Sequence, residues 1–425
     1  MSLSDYIVNM KRCIRCSYCK WTILSQIKSW RFARGCPSEG FTKFHSYSAG
    51  GKMAVSLALL EGRFNYNDRL LDIAYKCQLC GACDVACKVC RYLMEPLETM
   101  RELRTKLVED GQLLPEHMLT IEGLRAEDNM MLKQKKERGK YLEDCKVKNV
   151  TNEKAEVLFH AGCRLSFDEE LSTTARKALN ILKKANVDVG VMGKDETCCG
   201  GRAYDLGYRG EFTKYAEHNT EAWRNAGIKT VVTCCSDCYY TFKVLYAKHG
   251  FIKNVEVLHI TEYLKRLIDK GKIIFTKKVP IKITYHDPCH LGRLAEDYVP
   301  WNGEEKKIKG QIVTYEPKKP IRRGAKGIYE TPRDLLKSIP GIQLVEMERI
   351  KEYAWCCGAS GGVKEAYPEF ALWTANERIE EAESTGAEAL VTACPWCERN
   401  FLDAVNSDGK NMRIYDIVDL VDQAM

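Results

Sequence analysis

The sequence predicts an α/β chain in which a helical N-terminal domain precedes two pseudo-symmetric, Rossmann-like parallel α/β repeats. Three observations carry this expectation: two CxxCxxC sets in the first 90 residues, a five-cysteine pattern that occurs twice at a nearly fixed offset, and strand-like and helix-like runs that alternate within each copy. The expected divisions are 1–112 for the N-terminal domain, 113–150 for a helical connector, 151–275 for the first repeat and 276–425 for the second, which contains a basic insertion near 301–327.

A chain of 425 residues is long enough for two or three domains. Its composition is ordinary except for 21 cysteines. No N-terminal apolar stretch has the form of a signal peptide, and no run of about 18 apolar residues offers a membrane span. The chain is therefore expected in a reducing cytoplasm, touching a membrane only through a partner, where clustered cysteines mean metal or redox chemistry. The formal charge of +7 counts every thiol as neutral, whereas a centre held by four thiolates is itself an anion. Lys11, Arg12, Arg15 and Lys20 interleave the first cysteines as counter-charge, and without a basic stripe carrying aromatics nucleic acid is not an expected partner.

In the N-terminal domain, CIRCSYC supplies Cys13, Cys16 and Cys19, and Cys36 follows before Pro37. CQLCGACDVAC supplies Cys77, Cys80, Cys83 and Cys87. This is the ligand pattern of paired ferredoxin-type cubanes, in which three close thiolates wrap one [4Fe–4S] cluster and the fourth cysteine serves the other. Cys13, Cys16, Cys19 and Cys87 are expected to hold one cubane, and Cys77, Cys80, Cys83 and Cys36 the second. Structural zinc draws its four ligands as separated CxxC pairs and fits less well. Cys90 is the alternative to Cys87; the spacing favours Cys87. In EPLETMRELRTKLVEDG, Leu93, Leu97, Met100, Leu103 and Leu107 recur at helical intervals between Pro96 and Gly111, predicting an amphipathic helix that packs this domain onto the next. Residues 113–150 are charged and read as a helical connector, with Cys145 a bystander.

The rest of the chain repeats itself. HAGCRL at Cys163 answers HDPCHLGR at Cys289, ETCCGG answers WCCGAS, and VVTCCSDCYYTF answers LVTACPWCERNF. Cys235 to Cys394 and Cys238 to Cys397 are each 159 residues apart and Cys199 to Cys357 is 158, whereas Cys163 to Cys289 is 126. One insertion of about 32 residues between Cys289 and Cys356 accounts for the difference. In the first copy, VLF, VDVGVM and TVVT read as strands separated by helices, so a parallel sheet would gather Cys163, Cys198, Cys199, Cys235 and Cys238 at its carboxyl edge, where open α/β sheets bind ligands. Eight ferredoxin-type cysteines and five per repeat account for 18 of the 21, leaving Cys90, Cys145 and Cys234 as small hydrophobes in or near the core. Five thiolates exceed the four of a zinc site or an ordinary cubane.

These residues resemble the CCG-domain proteins, and the order of a ferredoxin-like domain followed by two CCG domains is similar to that of the heterodisulfide reductase D-type family. The resemblance implies a non-cubane [4Fe–4S] cluster, built from fused [3Fe–4S] and [2Fe–2S] parts, in each repeat. Its ligands would be Cys163, Cys198, Cys199, Cys235 and Cys238 in the first, and Cys289, Cys356, Cys357, Cys394 and Cys397 in the second. The family also includes electron-transfer subunits of class II benzoyl-CoA reductase and of sulfite-reduction membrane complexes. The insertion departs from the pattern: residues 304–326 carry eight Lys or Arg against three Glu. A solvated loop is its plain reading, and docking of an acidic partner or anionic substrate the sharper one.

The expected activity is an oxidoreductase that passes electrons through two cubanes to thiol/disulfide chemistry at the CCG centres. Its partners would be other redox subunits carrying flavin, haem or further iron–sulfur clusters. A departing thiolate needs a proton, and the candidate donors are His160 and His286, each three residues before the first cysteine of its repeat, and His290 beside Cys289. The alternative role for His160 and His286 is to orient a loop by hydrogen bonding. No GxGxxG fingerprint follows a predicted strand, so a nicotinamide or flavin is expected on a partner. The rival function is an electron-relay subunit with no substrate of its own.

Overall fold

The computed structural model describes residues 2–91, 93–143, 145–309 and 312–425, without the side chains of Lys307 and Ile312. The chain is α/β: helices make up the N-terminal region and two separate parallel sheets follow. The first sheet contains β1 (Lys148–Asn149), β2 (Val157–His160), β3 (Val189–Val191), β4 (Thr230–Thr233) and β5 (Glu256–His259), in the order β1-β3-β2-β4-β5. After β6 (Ile281–Tyr285), an antiparallel hairpin of β7 (Glu304–Ile308) and β8 (Ile312–Glu316) stands apart. With β9 (Ile342–Val345), β10 (Ala389–Thr392) and β11 (Arg413–Asp416), β6 forms the second sheet, in the order β11-β10-β6-β9. Four strands of each sheet therefore share one topology. β2 and β10 are buried along their whole length, as parallel strands covered on both faces must be.

The last strand of each sheet ends on a residue that caps the following helix. His259 Nδ1 accepts from Thr261 N, and Glu262 returns a bond to the His259 amide; Asp416 and Asp419 do the same for Val418 N and the Asp416 amide. Each box satisfies amides that a helix start leaves without partners. The repeats touch directly: Ser236 Oγ donates to the Ala393 carbonyl at 2.7 Å, and Lys177 pairs with Asp419 at 2.6 Å.

The link helix runs Pro96–Glu109, with proline at its first position, where no amide is needed. Leu97 and Met100 enter the large core of the repeats, while Leu103 and Leu107 enter a smaller N-terminal core with Tyr6, Met53 and Leu70. Leu93, read from the sequence as part of this helix, lies before it. The connector also differs from its expectation. Among its described residues only Pro115–Glu127 is α-helical; two short turns follow, and Ile121, Leu124, Met130, Arg138 and Tyr141 are buried. The charge density of 113–150 concealed this because its apolar residues are too scattered to form a helical stripe. The insertion became the β7–β8 hairpin and the loop after it; Gly310 and Gln311 lie outside the described residues. Among the described residues, no helix is long and apolar enough to cross a membrane.

Arg104, on the link helix, ties the three parts together. Fully buried, it donates to the carbonyls of Ala74 at 3.1 Å, Tyr75 at 3.4 Å and Cys77 at 2.6 Å in the N-terminal region, Asp205 at 3.0 Å in the first repeat and Gly361 at 2.7 Å in the second. Arg104→Met strips five buried carbonyls of a charged donor and is expected to cost about 3 kcal/mol or more. Chemical denaturation should show a lower midpoint, with the link helix becoming protease-sensitive; an unchanged midpoint would refute the role.

Candidate metal centres

Both CxxCxxC loops carry the same backbone signature. Arg15 and Ser17, flanking Cys16, have φ of 57° and 65°; Leu79 and Gly81, flanking Cys80, have 50° and 77°. Residues other than glycine seldom adopt this left-handed conformation, and alternating it with right-handed turns points amides into one concavity suited to an anion. Cys13, Cys16, Cys19 and Cys87 line a cavity of about 30 Å³, to which the exposed Cys90 also contributes. The start of helix Ala49–Leu60 abuts it, with the Gly50 amide directed at Cys19. In the second set, Cys83 has Cys36, Cys77 and Cys80 as electrostatic neighbours, so Cys36 lies with the later triplet and Cys87 with the earlier one. Cys36 also neighbours Cys19, bringing the two sets side by side. Beside Cys36 lies Lys52, a buried ammonium that donates to Ser38 Oγ at 2.9 Å and to the Tyr47 carbonyl.

At the sheet edges, strand order decides which thiols meet. Cys163 follows β2, Cys198 and Cys199 follow β3, and Cys235 and Cys238 follow β4. Their thiols lie within hydrogen-bonding reach in the series Cys163, Cys198, Cys199, Cys238, Cys235. The second repeat has the same series: Cys289, Cys356, Cys357, Cys397, Cys394. None of these ten residues is more than 7% exposed. The amides of Gly200 and Gly358 each point at the first thiol of the adjacent pair, Cys198 and Cys356, at 3.4 Å. Gly162 has φ of 77°, and a Cβ there would fall 2.9 Å from Cys238 Sγ. Two contacts join different sets: Cys80 reaches Cys356, and Cys235 reaches its pseudo-equivalent Cys394. Cys234 is buried in the core and Cys145 is half-buried.

The donor chemistry fits iron–sulfur clusters. Each set is all thiol, a soft donor set suited to iron and sulfide. Burial above all pushes Cys36 and Cys87 up to about 12, so these thiols stay protonated until a metal displaces the proton.

The three histidines occupy different environments. His160 packs edge-on against Phe242, with ring centroids 4.8 Å apart, and His286 against Phe401 at 4.9 Å, a pseudo-symmetric pair. Burial pulls both pKa values down. His286 Nδ1 accepts from Arg378 Nε at 3.2 Å, which leaves Nε2–H facing Cys357; the ligand atoms of His286, Cys357 and Cys397 lie within 4.8 Å of one another. His290 is different. Burial lowers its pKa, but Asp237, 2.8 Å from Nδ1, and Cys289 outweigh it, and the ring is held well on the charged side. Asp237 sits inside the CxxC of the first repeat, so this ion pair bridges the repeats beside Cys289.

Sequence reasoning missed the charged groups around these thiols. Arg138 is buried in the connector; it donates to Cys163 Sγ at 3.3 Å and to Glu196 at 2.8 Å, while Glu196 accepts from the amides of Ala161 and Gly162. Its place in a charge run hid it. Arg293 was visible in HDPCHLGR, but nothing in that motif assigns it a role.

Family models match the chain in the same order as its folds: a 4Fe-4S dicluster domain over residues 9–90 and a cysteine-rich (CCG) domain over 157–243 and 321–401. The chain is 31% identical over 360 residues to the D subunit of dihydromethanophenazine:CoB–CoM heterodisulfide reductase from Methanosarcina mazei, covering 83% of this chain and 78% of that one. It is 27% identical over 362 residues to the EtfAB:quinone oxidoreductase of Syntrophomonas wolfei, covering 81% of this chain and 46% of that protein. A hypothetical protein from Helicobacter pylori, in its crystal structure, shares the fold with a TM-score of 0.56 at 11% identity, over 89% of this chain and 68% of the other. Motifs, fold and kinship agree: the chain belongs to the heterodisulfide reductase D-type family of CCG-domain iron–sulfur oxidoreductases.

Proposed function

We propose that this chain is an electron-carrying oxidoreductase subunit in which four iron–sulfur centres lie in one series, ending in thiol/disulfide chemistry at the two CCG sites. The observation that carries the reading is the unbroken succession of neighbouring thiols: Cys19 by Cys36, Cys80 against Cys356, and Cys394 against Cys235. Two cubanes, on Cys13, Cys16, Cys19 and Cys87 and on Cys36, Cys77, Cys80 and Cys83, together with two non-cubane clusters on the ten CCG cysteines, would supply one-electron transfer along the series.

Cleaving a disulfide to two thiols consumes two electrons and two protons. The CCG sets face each other at Cys235 and Cys394, so two one-electron sites adjoin where a two-electron reaction needs both. His290, kept charged by Asp237, is the proton donor that the geometry favours; His160 and His286, neutral and packed on Phe242 and Phe401, orient the loops that carry Cys163 and Cys289. Electrons would enter at the first cubane, where Cys16 is exposed, from a flavin, haem or iron–sulfur subunit that also provides any membrane attachment.

Two observations favour the second reading, a relay subunit without its own substrate: all ten CCG cysteines are buried, and the related EtfAB:quinone oxidoreductase is named for a different reaction. Anaerobically purified protein with a chemical reductant should release free thiols from the CoM–CoB mixed disulfide. No release, together with reduction of another acceptor once a co-purifying subunit is added, would establish the relay.

Three further measurements bear on the centres. Iron analysis should give about 16 atoms per chain if all four sites hold four irons; colourless, iron-free protein would refute the reading. Cys198→Ser should abolish the paramagnetic signal of the first CCG centre while both cubane signals persist, and loss of every signal together would mean the sites are not independent. His290→Asn should slow disulfide cleavage by about 10²–10⁴ without slowing reduction of the clusters; equal slowing of both would remove His290 from proton donation.

A further inference from the structure

The two repeats match in strand order, thiol series and histidine packing, but not in charge. Four residues after its first cysteine, the first repeat has Phe167 and the second has Arg293. Arg293 is buried and held by main-chain carbonyls: Nε donates to Cys80 at 2.5 Å, and Nη1 donates to Glu352 at 2.9 Å and Ala354 at 2.6 Å. Among the described residues no carboxylate pairs with it, and Nη2 has no hydrogen-bond partner. Its electrostatic neighbours include Cys80 of the second cubane set and Cys289 and Cys356 of the second CCG set.

The cations at the first repeat's site are neutralised: Arg202, beside Cys199, lies 3.6 Å from Glu365, and a second arginine is supplied from elsewhere. Arg138 comes from the connector, stacks over Phe167 with its guanidinium carbon 5.0 Å from the ring centroid, and reaches Cys163, but Glu196 cancels its charge from 2.8 Å. The remaining charges do not restore the balance. Around the second site, Arg349 and Arg378 share Glu381, whereas Arg333 is shared by Asp287 and Glu346; one surplus cation meets one surplus carboxylate. His290 and Asp237 form a pair between the sites. Lys52 and Arg104 are also without carboxylate partners among the described residues, but they lie by Cys36 and Cys77 of the second cubane set; of the cations beside the CCG thiols, Arg293 is the one left over.

We infer that Arg293 holds the second cubane and second CCG centre at raised reduction potentials, so that of the two CCG centres the second is reduced before the first, whose arginine is masked by Glu196. An unbalanced cation in a low-dielectric interior favours the more negative, reduced form of a neighbouring cluster, and net charge is one of the factors that set such potentials. Arg293 acts through the clusters as a positioning residue for charge, and the inference rests on the cluster assignment proposed above.

The test is an anaerobic redox titration of the full-length holoprotein followed by electron paramagnetic resonance, with the CCG signals assigned by their loss in Cys198→Ser and Cys356→Ser. Arg293→Met should make reduction of the second cubane and second CCG centre at least tenfold less favourable, about 59 mV downward for one electron, and leave the first cubane unmoved. Arg293→Lys, which keeps the charge, should stay near the native potentials. Glu196→Gln should unmask Arg138 and move the first CCG centre upward by a similar factor; this variant decides alone if Arg293→Met fails to assemble. Unchanged potentials in Arg293→Met, an equal downward shift in Arg293→Lys, or an unmoved first centre in Glu196→Gln each overturn the inference. Native protein lacking CCG signals would instead overturn the cluster assignment.

Discussion

Parallel strands end together, and the rest of this structure depends on that constraint. A thiol placed just after β2, β3 or β4 is delivered to one edge of the sheet however far apart the cysteines lie in the chain. The second sheet repeats the order, so its five thiols arrive in the same series. Pairing the edges then brings Cys235 against Cys394, two residues at the same place in their repeats. Adjacent cysteines need no disulfide to explain them in this setting. Each pair holds the second and third places of its five-thiol series, with a glycine amide directed at its first member.

Gathering so many groups that become anionic on metal binding into a dry interior raises an electrostatic problem, and the chain answers it with buried cations. Lys52 stands beside Cys36, Arg138 beside Cys163, and Arg293 between Cys80 and the second CCG set. Arg104 serves a different end. Its five carbonyl acceptors come from all three parts of the chain, so it fixes the cubane region against both repeats with no carboxylate partner among the described residues. Isolated buried charges are costly, and those retained here sit against main-chain carbonyls or thiols.

The cysteine pattern was legible in the sequence because spacing encodes it directly. Offsets of 158 and 159 residues mark the repeat, and the alternating runs give strands β2, β3 and β4 near their observed positions. What sequence could not supply was how the repeats face one another, since that depends on packing between surfaces distant in the chain; the contact of Cys235 with Cys394 and the Asp237–His290 bridge follow from it. The connector misled for a different reason. A buried Arg138 looks like any other member of a charge run until Glu196, 58 residues away, is placed against it.

The insertion shows how a segment with a plain exterior can have an interior role. Its surplus positive charge lies beyond the hairpin, which balances Lys306, Lys307 and Lys309 against Glu304, Glu305 and Glu316 on a largely exposed ribbon and on that ground alone is a solvated loop. The segment after the hairpin is not. Arg322 donates to the Leu294 carbonyl at 2.9 Å, the Gly324 amide donates to Glu296 at 2.6 Å, and the Tyr329 hydroxyl closes on the Gly324 carbonyl at 2.6 Å. Gly324 has φ of 78°, and a Cβ there would lie 2.7 Å from that of Arg293. The insertion therefore clamps the turn that carries Arg293, leaving the guanidinium little freedom to leave Cys80 and Cys356. The extra residues that break the symmetry of the sequence hold in place the side chain that breaks the symmetry of charge.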